Sequence, residues 1–292
     1  MKNKIACVVV LYHPDTDLIH NIESYMHDVD VLFCIDNSEV TSPELVLQLE
    51  SYENVEYLNN NGNIGLAASL NRGADLAIAR GADWLLTMDQ DSAFGNDALG
   101  KMRSAIESLS VADIGILSAD HQLGLGQSHN TESIKEVETV MTSGNFLNLS
   151  AYQQVGPFRN DFFIDYIDHE YCLRLRKSNF RVMQCQGAVL HHRLGNLMRT
   201  TIGSREVQYT NHNALRRYYL TRNRLVVAFA YRADFPSFFW AELRAILNEW
   251  VKILLFEENK MRKNRMIIKG VFDFMFGRMG KLDVASCLQS DR

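Results

Sequence analysis

Several things are scarce in this chain, and each scarcity excludes something. Cysteine occurs five times, at positions 7, 34, 172, 185 and 287, an odd count with no C-x-x-C pair. That argues against a disulfide framework and against a zinc site. Cys7, Cys34 and Cys185 lie in or beside apolar runs, where a thiol packs as a small hydrophobe. The expected setting is a reducing, cytosolic compartment. Long apolar runs are missing too: none reaches the ~18 residues of a membrane span. Positive charge is not in excess, with 30 Lys and Arg against 35 Asp and Glu, net -5, so no overall basic field points to a nucleic-acid partner. No G-x-G-x-x-G follows the first apolar run, so a dinucleotide cofactor of the Rossmann type is not supported. There is no internal repeat and no low-complexity segment. The start, "MKNKIACVVVLYHPD", has two lysines before an apolar run, but His13, Pro14 and Asp15 follow where a signal peptide needs small residues, so a buried strand is expected.

What is present alternates. Residues 4–12, 28–38, 54–60, 83–89 and 113–119 are apolar and β-rich, as strands buried on both faces are. Residues 15–28, 43–51, 64–80 and 96–109 carry helical spacing, with Ala67, Leu70, Ala74, Ala77 and Ile78 forming one stripe. Strand and helix in turn imply βαβ units and a mostly parallel sheet flanked by helices. In such sheets ligands bind at the carboxyl ends of the strands. The polar clusters Tyr12-His13-Pro14, Asp36-Asn37-Ser38, Asn59 to Gly65 and Asp89-Gln90-Asp91 all sit at such ends. After about residue 225 strand signals fade, and a helical stripe from Phe239 to Leu254 precedes the basic "KMRKNR" at 260–265. The expected division is a catalytic domain over 1–225, with halves of about 1–120 and 121–225, and a helical region over 226–292.

Asp89 and Asp91 in "LLTMDQDS" are two apart, so an extended chain points both carboxylates one way. Close carboxylates stay ionised comfortably only with a cation, and Mg²⁺ or Mn²⁺ binds through one or two carboxylates with substrate phosphate completing the shell. The alternative is that Asp91 or Ser92 caps the next helix. Asn63 is a natural N-cap for the third helix, and Gly65 allows a ligand to approach the backbone. In "DFFIDYIDHEYCLRLRKSNF", 161–180, a helix would pair Glu170 with Arg174 and put Asp165, Asp168 and His169 on the other face. An acid there could be a general base or part of a solvated surface. "GAVLHHRLG" ends a strand in His191 and His192, which alternation sends to opposite faces. "RRYYLTRNRL" gathers Arg216, Arg217, Arg222 and Arg224 beside Tyr218 and Tyr219, suited to a diphosphate or to a solvated basic face.

The ordered set, Tyr12-His13-Pro14, Asp36-Asn37-Ser38, "NGNIGLAASLNRGADLA", "DQDS", "SGN", "FIDYIDHEYCLRLR", "HHRLG" and "RRYYLTRN", resembles the family 2 glycosyltransferases with the GT-A fold, over residues 4–225. The nearest branch is the bacterial rhamnosyltransferases of surface polysaccharide synthesis. The resemblance implies an inverting hexosyltransferase that uses dTDP-L-rhamnose or another dTDP- or UDP-sugar, a Mg²⁺ or Mn²⁺ ion, and a saccharide or polyprenyl-diphosphate-linked acceptor. It implies that Tyr12, Asp36, Asn63, Gly65, Asn71 and Gln90 hold the nucleotide sugar, and that Asp89 and Asp91 form the D-x-D metal motif, Asp91 closer. His192 would be a further ligand, with His191 the alternative. Ser143, Gly144 and Asn145, with Asp165 and His169, would line the sugar and acceptor pocket. Asp168 would be the catalytic base; Ile167 replaces the glutamate that usually precedes it, which leaves open whether Asp165 or Glu170 shares the work. Arg217, Tyr218 and Arg222 would face the diphosphate. The region beyond 235 lies outside the shared motifs; it fits a peripheral contact on the inner face of the plasma membrane or a homodimer contact. Competing readings are a nucleotidyltransferase, which lacks its Gly-rich loop here, and an inactive sugar-nucleotide scaffold.

Overall fold

Continuous apolar runs become adjacent strands. In the computed structural model, which describes residues 3–108, 112–122, 133–192, 197–202 and 205–283, β1 (Ile5–Leu11) and β2 (Val31–Asp36) are buried along almost their whole length. With β3 (Val55–Asn59) and β4 (Trp84–Asp89) they pair in parallel in the order β3-β2-β1-β4. The helices α1 (Leu18–Glu23), α2 (Pro43–Glu50) and α3 (Leu66–Ala79) connect these strands. Helix α2 starts where the Ser42 hydroxyl accepts from the Leu45 amide, with Pro43 in the first turn. Helix α3 buries Ala67, Leu70, Ala74 and Ala77, the expected stripe. Its Gly73 lies so close to β1 that an added Cβ would fall 2.5 Å from a Val8 methyl.

The sequence did not reveal the next turn. The chain leaves β4 at Asp89 and begins a short strand, β5 (Ser92–Phe94), before α4 (Ala98–Ser108) and β6 (Ile114–Gln122). Two more short strands, β7 (Ile134–Glu136) and β8 (Asn145–Asn148), precede α5 (Leu149–Val155), α6 (Ile167–Lys177) and the long β9 (Arg181–His192). Strand β8 inserts antiparallel between β4 and β6; β9 runs parallel to β6 and antiparallel to β5 and β7. The sheet is thus mixed, with a parallel half that carries the nucleotide-side motifs.

The chain divides into two packed units. The first comprises Met1–Phe158 and Ile167–Leu194, and the second Arg159–Tyr166 and Gly195–Arg292. The second holds the hairpin β10 (Leu197–Ile202) and β11 (Arg205–Thr210) and the helices α7 (Ala214–Ala230), α8 (Pro236–Phe256) and α9 (Lys260–Met275). The division falls at Gly195, while the sequence pattern changes near 225; within the second unit α7 packs with α9. The "RRYYLTRN" side chains tie it there. Arg217, 3 % exposed, donates to the Thr210 carbonyl at 2.6 Å and pairs with Glu257. Tyr218 donates to Asp273 at 2.7 Å. Arg222 is fully buried and donates to the carbonyls of Gly280 and Phe162 at 2.8 and 3.2 Å. These three were expected to face a diphosphate. They are instead interior groups already matched by carboxylates and carbonyls, as buried charge requires.

Candidate active site

Strand register gathers the polar clusters of the first unit. Leu11 pairs with Asp36, Asp36 with Asn59, and Val10 with Asp89. The ends of β1, β2, β3 and β4 therefore form one edge, the carboxyl edge at which α/β sheets bind ligands. Tyr12 stands there 45 % exposed, an aromatic face available to stack. Asp36 is buried and accepts from the Ser38 amide at 2.8 Å and from the Tyr57 hydroxyl at 2.7 Å. Burial first, and then Asp36, push the Tyr57 phenol well up, so it stays a donor. Behind this edge Asn60 and Ser69 both donate to Asn37 Oδ1, at 2.8 and 2.9 Å. Asn37, Tyr57, Asn60 and Ser69 were not singled out in the sequence, although Asn37 stood inside the Asp36-Asn37-Ser38 cluster.

Three expected nucleotide contacts are engaged in other ways. Asn71 is buried and clamps the Phe158 backbone, donating to its carbonyl and accepting from its amide, both at 2.8 Å, and it also accepts from Tyr152. A carboxamide with one donor and one acceptor fits a peptide unit, and this one sits in the second turn of α3. Asn63 does not cap α3; its Oδ1 accepts from the Gly65 amide at 3.0 Å in an Asx turn, and Gly65, with φ 95°, takes the cap position. Gln90, between the two aspartates, accepts from the Tyr12 amide at 2.8 Å and donates to the Tyr12 carbonyl at 3.2 Å.

That clamp helps fix the D-x-D turn. The Asp89 amide donates to Ser143 Oγ at 3.0 Å, Ser143 donates to Ser92 Oγ at 2.9 Å, and Asn21 donates to the Gln90 carbonyl at 3.0 Å. Gly144 makes the close approach possible: its φ is +73°, and an added Cβ would lie 2.8 Å from Leu190. The carboxylates of Asp89 and Asp91 are half-buried. The backbone of His192 pairs opposite Ser92, one residue beyond Asp91, and His191 opposite Ala93. The His192 side chain lies outside the described residues, and His191 is exposed. Among the described residues no group of three or more His, Cys, Asp or Glu side chains could hold a metal. Two carboxylates suffice for Mg²⁺ or Mn²⁺ when phosphate and water complete the shell, and the Asp89 and Asp91 oxygens are donors of the hard kind those ions take.

Asp168 opens α6. Its Oδ1 accepts from the His169 amide at 2.8 Å and lies 2.9 Å from His169 Nδ1. Burial pushes its carboxyl up, but the His169 charge and hydrogen bonds outweigh this and hold it below the ordinary carboxylate range. It shares a cavity of about 10 Å³ with Thr87, Thr142 and Asn145. Asn145, buried and paired opposite Thr87, points a carboxamide oxygen without a hydrogen-bond partner into its surroundings. Asp168 thus lines one cavity with Thr87 of β4, two residues before Asp89. Glu170 is buried and pairs with Arg174 at 2.8 Å, as helical spacing implied. Asp165 precedes the helix, belongs to the second unit, and pairs with Arg216 at 3.1 Å.

The family model "Glycosyl transferase family 2" matches residues 16–168. The dTDP-rhamnosyl transferase RfbF of Shigella flexneri is 25 % identical over 242 residues, covering 76 % of this chain and 79 % of that one. The low-salt glycan biosynthesis hexosyltransferase Agl10 of Haloferax volcanii is 22 % identical over 306 residues, covering 96 % and 94 %. Among solved structures, TarS 1-349 of S. aureus in complex with UDP-GlcNAc aligns with a TM-score of 0.61 at 14 % identity, over 93 % of this chain and 80 % of that one. GalNAc-T7 with UDP, GalNAc and Mn²⁺ aligns at 0.62 and 11 % identity over 82 % of this chain, which spans half of that structure. The fold is GT-A, a mixed sheet flanked by helices with further helices at the C-terminus, and the chain belongs to glycosyl transferase family 2.

Proposed function

We propose that the chain is an inverting, metal-dependent hexosyltransferase that moves L-rhamnose from dTDP-L-rhamnose to a hydroxyl of a saccharide or lipid-linked saccharide on the cytoplasmic side of the membrane. The observation that supports this is the nearness of a carboxylate pair and a single aspartate to one strand. Asp89 ends β4 and Asp91 follows it in the turn, and Asp168 lines one cavity with Thr87 of that strand. The likeness to RfbF, named for dTDP-rhamnose, supports the donor. UDP-hexose is the second reading, favoured by the hexosyltransferase name of Agl10 and the UDP-GlcNAc in the TarS structure.

Asp89 and Asp91, with His192 as a third donor, would hold Mg²⁺ or Mn²⁺ against the donor's diphosphate. The Mn²⁺ in the GalNAc-T7 structure supports such an ion, and its chemistry there is to offset charge growing on the departing nucleoside diphosphate. The chain's own residues do the rest. Tyr12 and Asp36 face the nucleoside at the ends of β1 and β2. Ser143 and Gly144 hold the D-x-D turn in place before substrate arrives. Asp168, kept ionised by His169, takes the proton from the acceptor hydroxyl. One displacement inverts the anomeric carbon, so a β-L-rhamnosyl donor yields an α-L-rhamnoside.

A thermal-shift screen of sugar nucleotides with and without Mn²⁺ tests the reading. dTDP-L-rhamnose with Mn²⁺ should stabilise the protein by ~2.7 kcal/mol at a hundred times its dissociation constant. Chelation, or Asp91→Ala, should remove most of that shift. A protein that no sugar nucleotide stabilises would overturn the proposal.

A further inference from the structure

The second unit exposes apolar surface in an ordered way. On α8, Trp240, Leu247, Val251 and Leu254 recur at i, i+7, i+11 and i+14, and each is exposed. On α9, Met261, Ile268, Phe272 and Met275 repeat that spacing and are exposed as well. This spacing puts each set on one stripe of its helix. The buried faces are other ones: Phe238 and Ile253 on α8, and Lys263, Gly270 and Asp273 on α9. The stripes meet along an apolar groove of about 400 Å³, where Leu247 and Leu254 of α8 face Ile267 and Ile268 of α9. Trp250 stands at this groove, 45 % exposed, with its indole N–H donating to Asn264 at 2.7 Å. An aromatic body in apolar surroundings with a bonded polar tip is the arrangement of an interfacial tryptophan.

Charge sits beside the stripes. Helix α9 carries Lys260, Arg262, Lys263, Arg265 and Lys269 against one acid, Asp273, in a chain whose net charge is -5. Asp273 is buried, bonded to Tyr218 and paired with Lys269, and Lys263 is buried against Glu257, so the exposed cations of α9 are Lys260, Arg262 and Arg265. Helical spacing puts Arg265 at the edge of the α9 stripe and Arg262 farther round the same flank. No helix among the described residues is long and apolar enough to cross a membrane. An apolar stripe bordered by cations is the pattern of a helix lying in a lipid–water interface. A two-fold contact whose axis passes at α9 would bring α9 cations against α9 cations. Anionic headgroups would neutralise them.

We propose that the α8–α9 face docks on an anionic lipid surface, with the two stripes in the acyl boundary, one hydrocarbon chain in the groove, and Arg262 and Arg265 on headgroup phosphates. The proposal deepens the membrane side of the proposed function but rests on the second unit alone, and would hold whatever sugar the first unit transfers.

The test uses the full chain, sedimented with vesicles of phosphatidylcholine alone or with a third of phosphatidylglycerol. Binding should require phosphatidylglycerol and weaken with salt. Lipids brominated along the acyl chain should quench Trp240 and Trp250, while Trp84, buried in the first unit, keeps its emission. Arg262→Glu with Arg265→Glu should weaken binding by about tenfold or more, and Leu247→Ser with Phe272→Ser should abolish the quenching. Circular dichroism checks that the variants fold; if one does not, quenching in the unaltered chain decides. Failure to bind either vesicle would overturn the proposal, as would salt-sensitive binding without acyl-chain quenching. Dimerisation abolished by Leu247→Ser with Phe272→Ser, without lipid binding, would make the face a contact between copies. Because no sugar nucleotide is present, none of these outcomes depends on transfer activity.

Discussion

Asp168 and His169 form the most consequential pair at the scale of single residues. A base must be ionised to accept a proton, and His169 keeps the Asp168 carboxyl below its ordinary 3.8 despite burial. Its ionised form is therefore present at all pH values above that, and its loss should not limit transfer near neutrality. Asp168→Asn should lower kcat by about 10²–10⁴ while the thermal shift with donor persists. His169→Leu keeps burial, which raises the carboxyl's pKa, and the backbone amide bonds, but removes the imidazole's charge and hydrogen bond, so the pKa should rise. The acid limb of kcat/KM should then move toward neutral pH. An unchanged pH profile in His169→Leu would show that the histidine does not tune this carboxylate.

At the scale of elements, the D-x-D turn is held by neighbours remote in sequence: Ser143 on the Asp89 amide, the Tyr12 backbone on the Gln90 side chain, and Asn21 on the Gln90 carbonyl. In the second unit Asn223 does comparable work. Fully buried on α7, it donates to the carbonyls of Phe162, Ile164 and Asp165 at 3.0, 2.8 and 3.0 Å. These carbonyls belong to a segment where Phe163, Asp165 and Tyr166 all have positive φ, a backbone that non-glycine residues adopt only when surroundings impose it. Asn223→Leu keeps the volume and removes the donor. Chemical denaturation should show a loss of about 2–4 kcal/mol from the carbonyls left unmatched.

At the scale of the whole molecule, one half-buried histidine gives folding a pH dependence. Burial first, then the charges of Arg216 and Arg217, lower the His212 pKa from 6.5 to about 4. The unfolded chain takes up this proton near 6.5 and the folded chain only near 4. Stability is therefore complete above pH 6.5 and falls as pH drops from 6.5 toward 4. His212→Gln should flatten that part of a plot of unfolding midpoint against pH. A slope unchanged in the variant would assign the dependence to other groups.

The sequence by itself determined the strand–helix alternation, the place of the polar clusters at strand ends and the Glu170–Arg174 pair. These are local matters of period and spacing, and period survives folding because burial selects it. Tertiary structure alone decided which polar side chains face a ligand and which face protein. Asn71 and Arg222 carry chemistry suited to a nucleotide, yet their partners are the Phe158 backbone and the carbonyls of Phe162 and Gly280. The β5 strand, three residues long, was illegible because its pairing with β9 reaches across about a hundred residues. The choice between binding a substrate and supporting a fold depends on what stands within three ångströms, and for these residues that partner comes from a distant part of the chain.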